Sequence, residues 1–319
     1  MEAYTDFATV YDTFMDETPY DVWGDFVAGL IEKYGVSRPA ETSAAKGKET
    51  DNNTGSGNEF EKKCSESGRE DIIEETPDFK SLHDTGDFAE PDPKTALEEE
   101  RNLIVELGCG TGSFTQVLKK KGYDIIGIDM SPDMLNVARN KAAAEGLDIM
   151  YLEQDMRELD LYCTAGTIVS VCDSVNYVLS DEELLETFKL VNNFLFPGGV
   201  FIFDFNTLHK YRDVIGDATI AENRQDCSFI WDNYFHDGDN INEYDLTIFV
   251  MCDEEKELFQ RFTETHYQRG YTLDEMKRIV EKSGLRFVTA IDADTHEAPN
   301  DESERIYIVA GECGKDLDY

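Results

Sequence analysis

No run of apolar residues approaches the roughly 20 needed to span a bilayer as a helix, and the mean hydropathy is −0.47, which argues against a membrane-embedded chain. The opening "MEAYTDFATVYD" has neither the basic start nor the apolar core of a secretory signal, so a cytoplasmic location is expected. The seven cysteines (Cys64, Cys109, Cys163, Cys172, Cys227, Cys252 and Cys313) include no C-x-x-C pair, and none of the five histidines stands at metal-ligand spacing. Reduced thiols and no bound metal are expected. Basic side chains are scarce: 29 against 68 acidic ones give a net charge of −39. A surface that negative repels polyphosphate, so nucleic acid is a poor partner. The acidity is not confined to a tail, because residues 41–100 carry 18 acidic and 7 basic side chains and leave −28 to the rest. Solubility or adaptation to salt explains such a surface more simply than a specific cationic partner. What is present is 319 residues with 40% hydrophobic content, enough for a sizeable core.

Five stretches differ in texture. Residues 1–40 place Phe7, Tyr11, Phe14, Val22, Trp23, Phe26, Val27, Leu30 and Ile31 mostly at steps of three and four, the spacing of amphipathic helices, with Pro19 separating two of them. Residues 41–98 are rich in Gly, Ser, Asn, Pro and charge, and predict a disordered acidic insertion. From 99 to 218, strand-like runs ("NLIVELG", "YDIIGIDM", "IMYLEQD", "TIVSVCDS", "GVFIFDFN") alternate with helical segments starting near Ser113, Pro132 and Asp181. That alternation predicts a doubly wound parallel sheet. Residues 219–270 hold three consecutive strand-like runs, an antiparallel insertion. Residues 271–319 return to the core with a helix opened by a capping box at Thr272 and Glu275, then two strands.

The stretch "ELGCGTGSFT" puts glycines at 108, 110 and 112 directly after the first strand and before a helix. Such a turn lets a ligand approach the main chain and meet free helix N–H groups. A dinucleotide fingerprint would need its third glycine at 113, which is Ser113. Asp129, ending the second strand, can take both hydroxyls of a ribose, and Asp155 after the third can accept from an adenine amino group. Glu106 would repel a pyrophosphate and suits an ammonium. The ligand expected here is adenosine-like and positively charged.

These motifs resemble those of the class I S-adenosylmethionine-dependent methyltransferases. "ELGCGTG" is similar to their first motif, "GIDMSPDML" to the segment gripping ribose and adenine, "LEQDM" to the adenine-edge motif and "CDSVNYV" to the stretch beside the transferred methyl. The resemblance covers about residues 99–311. More narrowly, "WDNYF", "TETHYQRGYTLDEM" and "ESERIYIVA" resemble a group of small bacterial methyltransferases of mostly unassigned substrate, related to sugar-amine and glycine N-methyltransferases. The acidic insertion departs from that group. The resemblance implies a Rossmann-like, doubly wound seven-stranded sheet with an antiparallel last strand, an antiparallel β insertion and an N-terminal helical cap. It implies that Glu106, Gly108, Cys109 and Gly110 line the methionine end of S-adenosylmethionine, that Asp129 holds the ribose and that Met130 packs on adenine. Asp155 and Met156 would meet the adenine edge, Cys172 and Asp173 would border the methyl, and Tyr11 would lie over the sulfonium.

Methyl transfer from a sulfonium is an in-line displacement, so the protein must chiefly align a nucleophile and exclude water. A base is needed only where the acceptor loses a proton. Tyr11, Asp173 and His266 are the catalytic candidates, with Glu264 beside His266 on one face of the last inserted strand. Glu264 and His266 can equally be a structural pair. Asp204 and Asn206, ending the fifth strand, can reach substrate or cap the next helix. The expected activity is methylation of a small molecule at nitrogen or oxygen. RNA or protein methylation, a non-catalytic S-adenosylmethionine sensor and a nicotinamide-dependent oxidoreductase are the rivals.

Overall fold

The computed structural model describes residues 8–40 and 92–315. Most of the acidic stretch predicted to be disordered, including Cys64, therefore lies outside the described residues. Two N-terminal helices, α1 (Ala8–Phe14) and α2 (Tyr20–Tyr34), precede it, and α3 (Pro93–Asn102) follows. Residues 93–98, assigned above to the acidic stretch, open α3. Asp92 accepts a hydrogen bond from the backbone N–H of Lys94, and Pro93 occupies the first helical position, where its missing N–H costs nothing.

Alternating elements then build the sheet: β1 (Ile104–Leu107), α4 (Ser113–Lys120), β2 (Ile125–Asp129), α5 (Pro132–Ala144), β3 (Met150–Glu153), β4 (Ala165–Ser170), α6 (Asp181–Phe194) and β5 (Leu195–Asn206). After the cap come α7 (Leu273–Lys282), β10 (Arg286–Asp292) and β11 (Arg305–Gly311). The strand order is β10-β11-β5-β4-β1-β2-β3, and β11 runs antiparallel to both neighbours. Every residue of β1 and β4 is buried, as strands covered on both faces must be. Alternation sorts the two faces. Phe201, Phe203 and Phe205 of β5 point into one layer with Leu107, Ile168 and Phe188, while Val200 and Ile202 point into the other with Val27, Ile31 and Leu118. Helix α2 therefore belongs to the core, packed so tightly on α4 that a Cβ at Gly24 would lie 2.3 Å from Val117. Only α1 continues over the sheet's carboxyl end. Helix starts follow the sequence signals: Ser131 caps α5 ahead of Pro132, and Thr272 with Glu275 forms the capping box of α7.

The cap sheet has four strands, β6 (Thr219–Asn223), β7 (Cys227–His236), β8 (Ile241–Asp253) and β9 (Leu258–Arg269), in sequential antiparallel order. Three were expected. β6 is an edge strand exposed at almost every position, so it carries no alternation to read. Among the described residues no helix is long and apolar enough to cross a membrane, and all six described cysteines are free thiols.

Candidate active site

Strand order reverses between β1 and β4, and the crevice outside their carboxyl ends is where a doubly wound sheet receives ligands. The glycine turn lies there. All three glycines take positive φ (71°, 54° and 73° at Gly108, Gly110 and Gly112), yet their surroundings differ. A Cβ at Gly108 would lie 2.6 Å from Ser174, and one at Gly112 would lie 2.5 Å from the Tyr151 hydroxyl. Only Gly110 faces open space. Two of the glycines are thus required by the protein's own packing, and the third has room for a side chain. Gly108→Ala is expected to cost about 1–3 kcal/mol, a few degrees in melting temperature, even without ligand. Gly110→Ala should cost less stability and act chiefly on cofactor affinity. Thermal melts with and without S-adenosylhomocysteine separate the two, and equal behaviour would contradict this division.

The crevice holds a cavity of about 330 Å³. Tyr11, Glu106, Gly108, Cys109, Gly110, Asp129, Met130, Asp155, Met156 and Cys172 all line it, and so does His266. Asp173 does not. Its carboxylate accepts from the Arg305 guanidinium at 2.6 Å and the Gln268 amide at 2.7 Å, inside the wall behind Cys172. The expected base is therefore held in an internal ion pair. Nothing in the local sequence shows this, because Arg305 is 132 residues away.

Asp129 accepts from the backbone N–H groups of Gly110 and Ser131, both at 2.8 Å, and so joins the glycine turn to the start of α5. Burial raises its carboxyl above the usual range, with those N–H groups opposing. Glu106 is 2% exposed and accepts from the Thr115 hydroxyl at 2.5 Å. Burial pushes it up to about 8, against that hydrogen bond and with help from nearby Asp129. Asp155 differs. Both its oxygens meet Arg157, the closest contact being 2.6 Å, and this pair with the Arg157 backbone N–H outweighs burial and holds the carboxyl below its usual range. Burial raises the thiols of Cys109 and Cys172 well above normal, which disfavours the thiolate that a nucleophile needs.

Helix α1 borders the cavity through Tyr11. Asp12 accepts from the Thr111 hydroxyl and the Lys141 ammonium, both at 2.6 Å, while Arg224 of the cap bonds the carbonyl of Thr13 and the carboxylate of Asp16. Phe14 meets Phe229 edge to face at 5.0 Å. These contacts carry Tyr11 to the cavity beside Tyr20, a lining residue the sequence reading did not select.

On the cap side, β9 turns Glu264 and His266 inward and leaves Tyr267 43% exposed, following the alternation expected for this strand. The His266 ring stacks on Tyr244 at 4.8 Å; its Nδ1 lies 3.4 Å from the Tyr177 hydroxyl and its Nε2 3.3 Å from the Glu264 carboxylate. Tyr177 and Tyr244 share a hydrogen bond of 2.8 Å. Tyr177 was also missed, though it stands inside the "CDSVNYV" stretch. Asp204 neither caps a helix nor reaches the cavity: it is fully buried and accepts from the backbone N–H groups of Cys172 and Asp173.

Comparison with known proteins agrees with this architecture. A methyltransferase-domain family model matches residues 104–199. The chain is 29% identical over 308 residues to a candidate methyltransferase of Geobacillus sp. (strain WCH70), covering 96% of this chain and 98% of that protein. It is 34% identical over 214 residues to the candidate methyltransferase YqeM of Bacillus subtilis (strain 168), covering 66% and 84%. The crystal structure of an S-adenosylmethionine-dependent methyltransferase from Clostridium acetobutylicum ATCC 824 superposes with a TM-score of 0.62 at 28% identity, over 70% of this chain and 93% of that one. Sheet order, the glycine turn at the switch point and these likenesses together identify the chain as a member of the class I S-adenosylmethionine-dependent methyltransferases.

Proposed function

We propose that the protein methylates a small, uncharged or cationic molecule at nitrogen or oxygen, with the acceptor seated between the glycine turn and the inner face of the cap. The observation that carries this reading is the charge of the cavity wall. Its lining carboxyls are Glu106, Asp129, Asp133 and Asp155, and the one fixed cation among the described lining residues, Arg157, is already paired with Asp155 and Glu183. A phosphorylated or polyanionic acceptor would find no counter-ion there. A relative 31% identical over 103 residues, a dTDP-amino-sugar N,N-dimethyltransferase of Streptomyces venezuelae of which the chain covers 42%, supports a small-molecule acceptor, but its acceptor carries a diphosphate for which the described residues of this cavity wall offer no free counter-ion.

The open side of Gly110 and the carboxyls around it fit S-adenosylmethionine, whose ammonium, ribose and adenine need an anion, a hydroxyl acceptor and a flat apolar wall. Bound there, it supplies an electrophilic methyl on a sulfonium. Glu106 would take the ammonium, Asp129 the ribose hydroxyls, Met130 the adenine face, and Asp155 with Met156 the adenine edge. Gly108, Cys109, Gly110 and Cys172 would border the methionine end, and Tyr11 would cover it. Alignment of this kind contributes roughly 7–11 kcal/mol to a displacement. His266 would accept the acceptor's proton, and Glu264 at 3.3 Å would stabilise the resulting imidazolium.

Incubation of a metabolite extract with methyl-labelled S-adenosylmethionine tests the reading. Label should enter a small-molecule fraction, and label confined to RNA or protein would overturn it. Once an acceptor is in hand, His266→Ala should slow transfer by about 10²–10⁴, with a deficit that shrinks as pH rises, and leave S-adenosylhomocysteine affinity unchanged. A purely structural histidine would instead show lowered stability and a flat deficit.

A further inference from the structure

Two adjacent residues other than glycine adopt left-handed backbone where the cavity wall leaves β4: Cys172 at φ 59° and Asp173 at φ 54°. Aspartate visits that conformation occasionally, but cysteine does not favour it and two such residues in a row are strained, so the surroundings must impose it. The Asp204 carboxylate does so directly. It accepts the backbone N–H of Asp173 at 2.7 Å and that of Cys172 at 3.2 Å, and such a concave pair of successive N–H groups is a nest for an anion. Arg305 neutralises the assembly, with its guanidinium 2.6 Å from Asp173 and 3.5 Å from Asp204. Arg305 starts β11, and because β11 runs antiparallel to β5 this start lies beside the carboxyl ends of the parallel strands. Gln268 ties Asp173 to β9 of the cap, and Ser174 donates to the Val171 carbonyl and lies against the glycine turn at Gly108.

We propose that Arg305 and Asp204 are positioning residues: they hold the 172–173 turn in its left-handed form so that Cys172 walls the cofactor cavity, and Asp173 is part of this clamp instead of a base. The proposal rests on that cavity being the cofactor site. Loosening the clamp lets the turn relax toward ordinary backbone, which lowers the fraction of molecules competent to bind and raises the apparent dissociation constant by the same factor. Glycine at 172 takes positive φ without strain, so it should restore the turn when the clamp is weak.

Calorimetric titration with S-adenosylhomocysteine tests this in the wild type, Asp204→Asn, Arg305→Lys, Cys172→Gly and both double variants. Each clamp substitution should raise the dissociation constant about tenfold in the parent and less than about threefold in the Cys172→Gly background. Should Asp204→Asn fail to fold, Arg305→Lys carries the comparison, since it keeps the charge and loses only the planar fork. A purely structural clamp would lower the melting temperature and give the same change of affinity in both backgrounds. Equal losses in the two backgrounds, or unchanged affinity in both single variants, would overturn the proposal. Failure of the wild type to bind at all would instead remove the cofactor-site assignment on which it stands.

Discussion

Raising the pH from 6 to 8 is expected to tighten S-adenosylhomocysteine binding by about tenfold or more, and Glu106→Gln to abolish that dependence while weakening binding at pH 8. In the free protein Glu106 is buried and its carboxyl is pushed up to about 8, so near pH 7 it holds its proton. A bound ammonium favours the carboxylate, so binding must expel that proton, and each pH unit below the free value then weakens binding by up to about 1.4 kcal/mol. Up to about one proton per cofactor should appear in calorimetry repeated in buffers of different ionisation heat. The same group sets a stability trend in the free protein. Its folded value lies above the unfolded one, so the stability it contributes is fully present below the ordinary carboxylate range and is lost as pH rises through about 8. Glu106→Gln should flatten that decline, which makes the difference between the two proteins' unfolding free energies the quantity to follow. Parallel curves for the two, or no proton release on binding, would mean that Glu106 is ionised before the cofactor arrives.

The parts of this architecture that could be read in the sequence are those fixed by neighbours along the chain. Alternation of apolar runs with capped helices made the core strands readable, because the central strands β1 and β4, buried on both faces, and helices started by Ser131, Ser180 and Thr272 advertise themselves within a few residues. The glycine turn and Asp129 were legible for the same reason: both end strands at the crevice. Long-range pairing was not. Asp173 was expected to face the methyl because it follows β4, but Arg305 and Gln268 reach it from 132 and 95 residues away. Asp12 is joined to the glycine turn across 99 residues, and no pattern in α1 distinguishes that carboxylate from its acidic neighbours. The reason for the glycines was also only half visible, since Ser174 and Tyr151, which exclude a Cβ at Gly108 and Gly112, enter from the segment after β4 and from β3.

Asp129→Ala should raise the dissociation constant for S-adenosylhomocysteine about a hundredfold and leave the fold intact. Two losses combine. Ribose hydroxyls donating to a carboxylate contribute about 1.5–3 kcal/mol each, and one such bond already accounts for tenfold. The carboxylate also accepts from the Gly110 and Ser131 backbone N–H groups, so its removal frees the glycine whose Cβ position is open and the first turn of α5 together. Asp129→Asn distinguishes the two contributions. Its single amide oxygen can accept from only one side of the turn, and its NH2 meets the other N–H donor face to face. It should therefore lose nearly as much affinity as alanine despite its near-identical shape. Asp129→Glu keeps the charge but moves it by a methylene, and intermediate affinity is expected. NAD should bind to none of these proteins, because the cavity wall carries Asp133 and Asp155 and the one fixed cation among its described residues, Arg157, is already paired, so a pyrophosphate finds no counter-ion. Calorimetry on the four proteins at one pH reads all of this. Wild-type affinity in Asp129→Ala would sink the ribose assignment, and alanine far weaker than asparagine would show that the hydroxyl contacts, and not the clasp on the glycine turn, dominate.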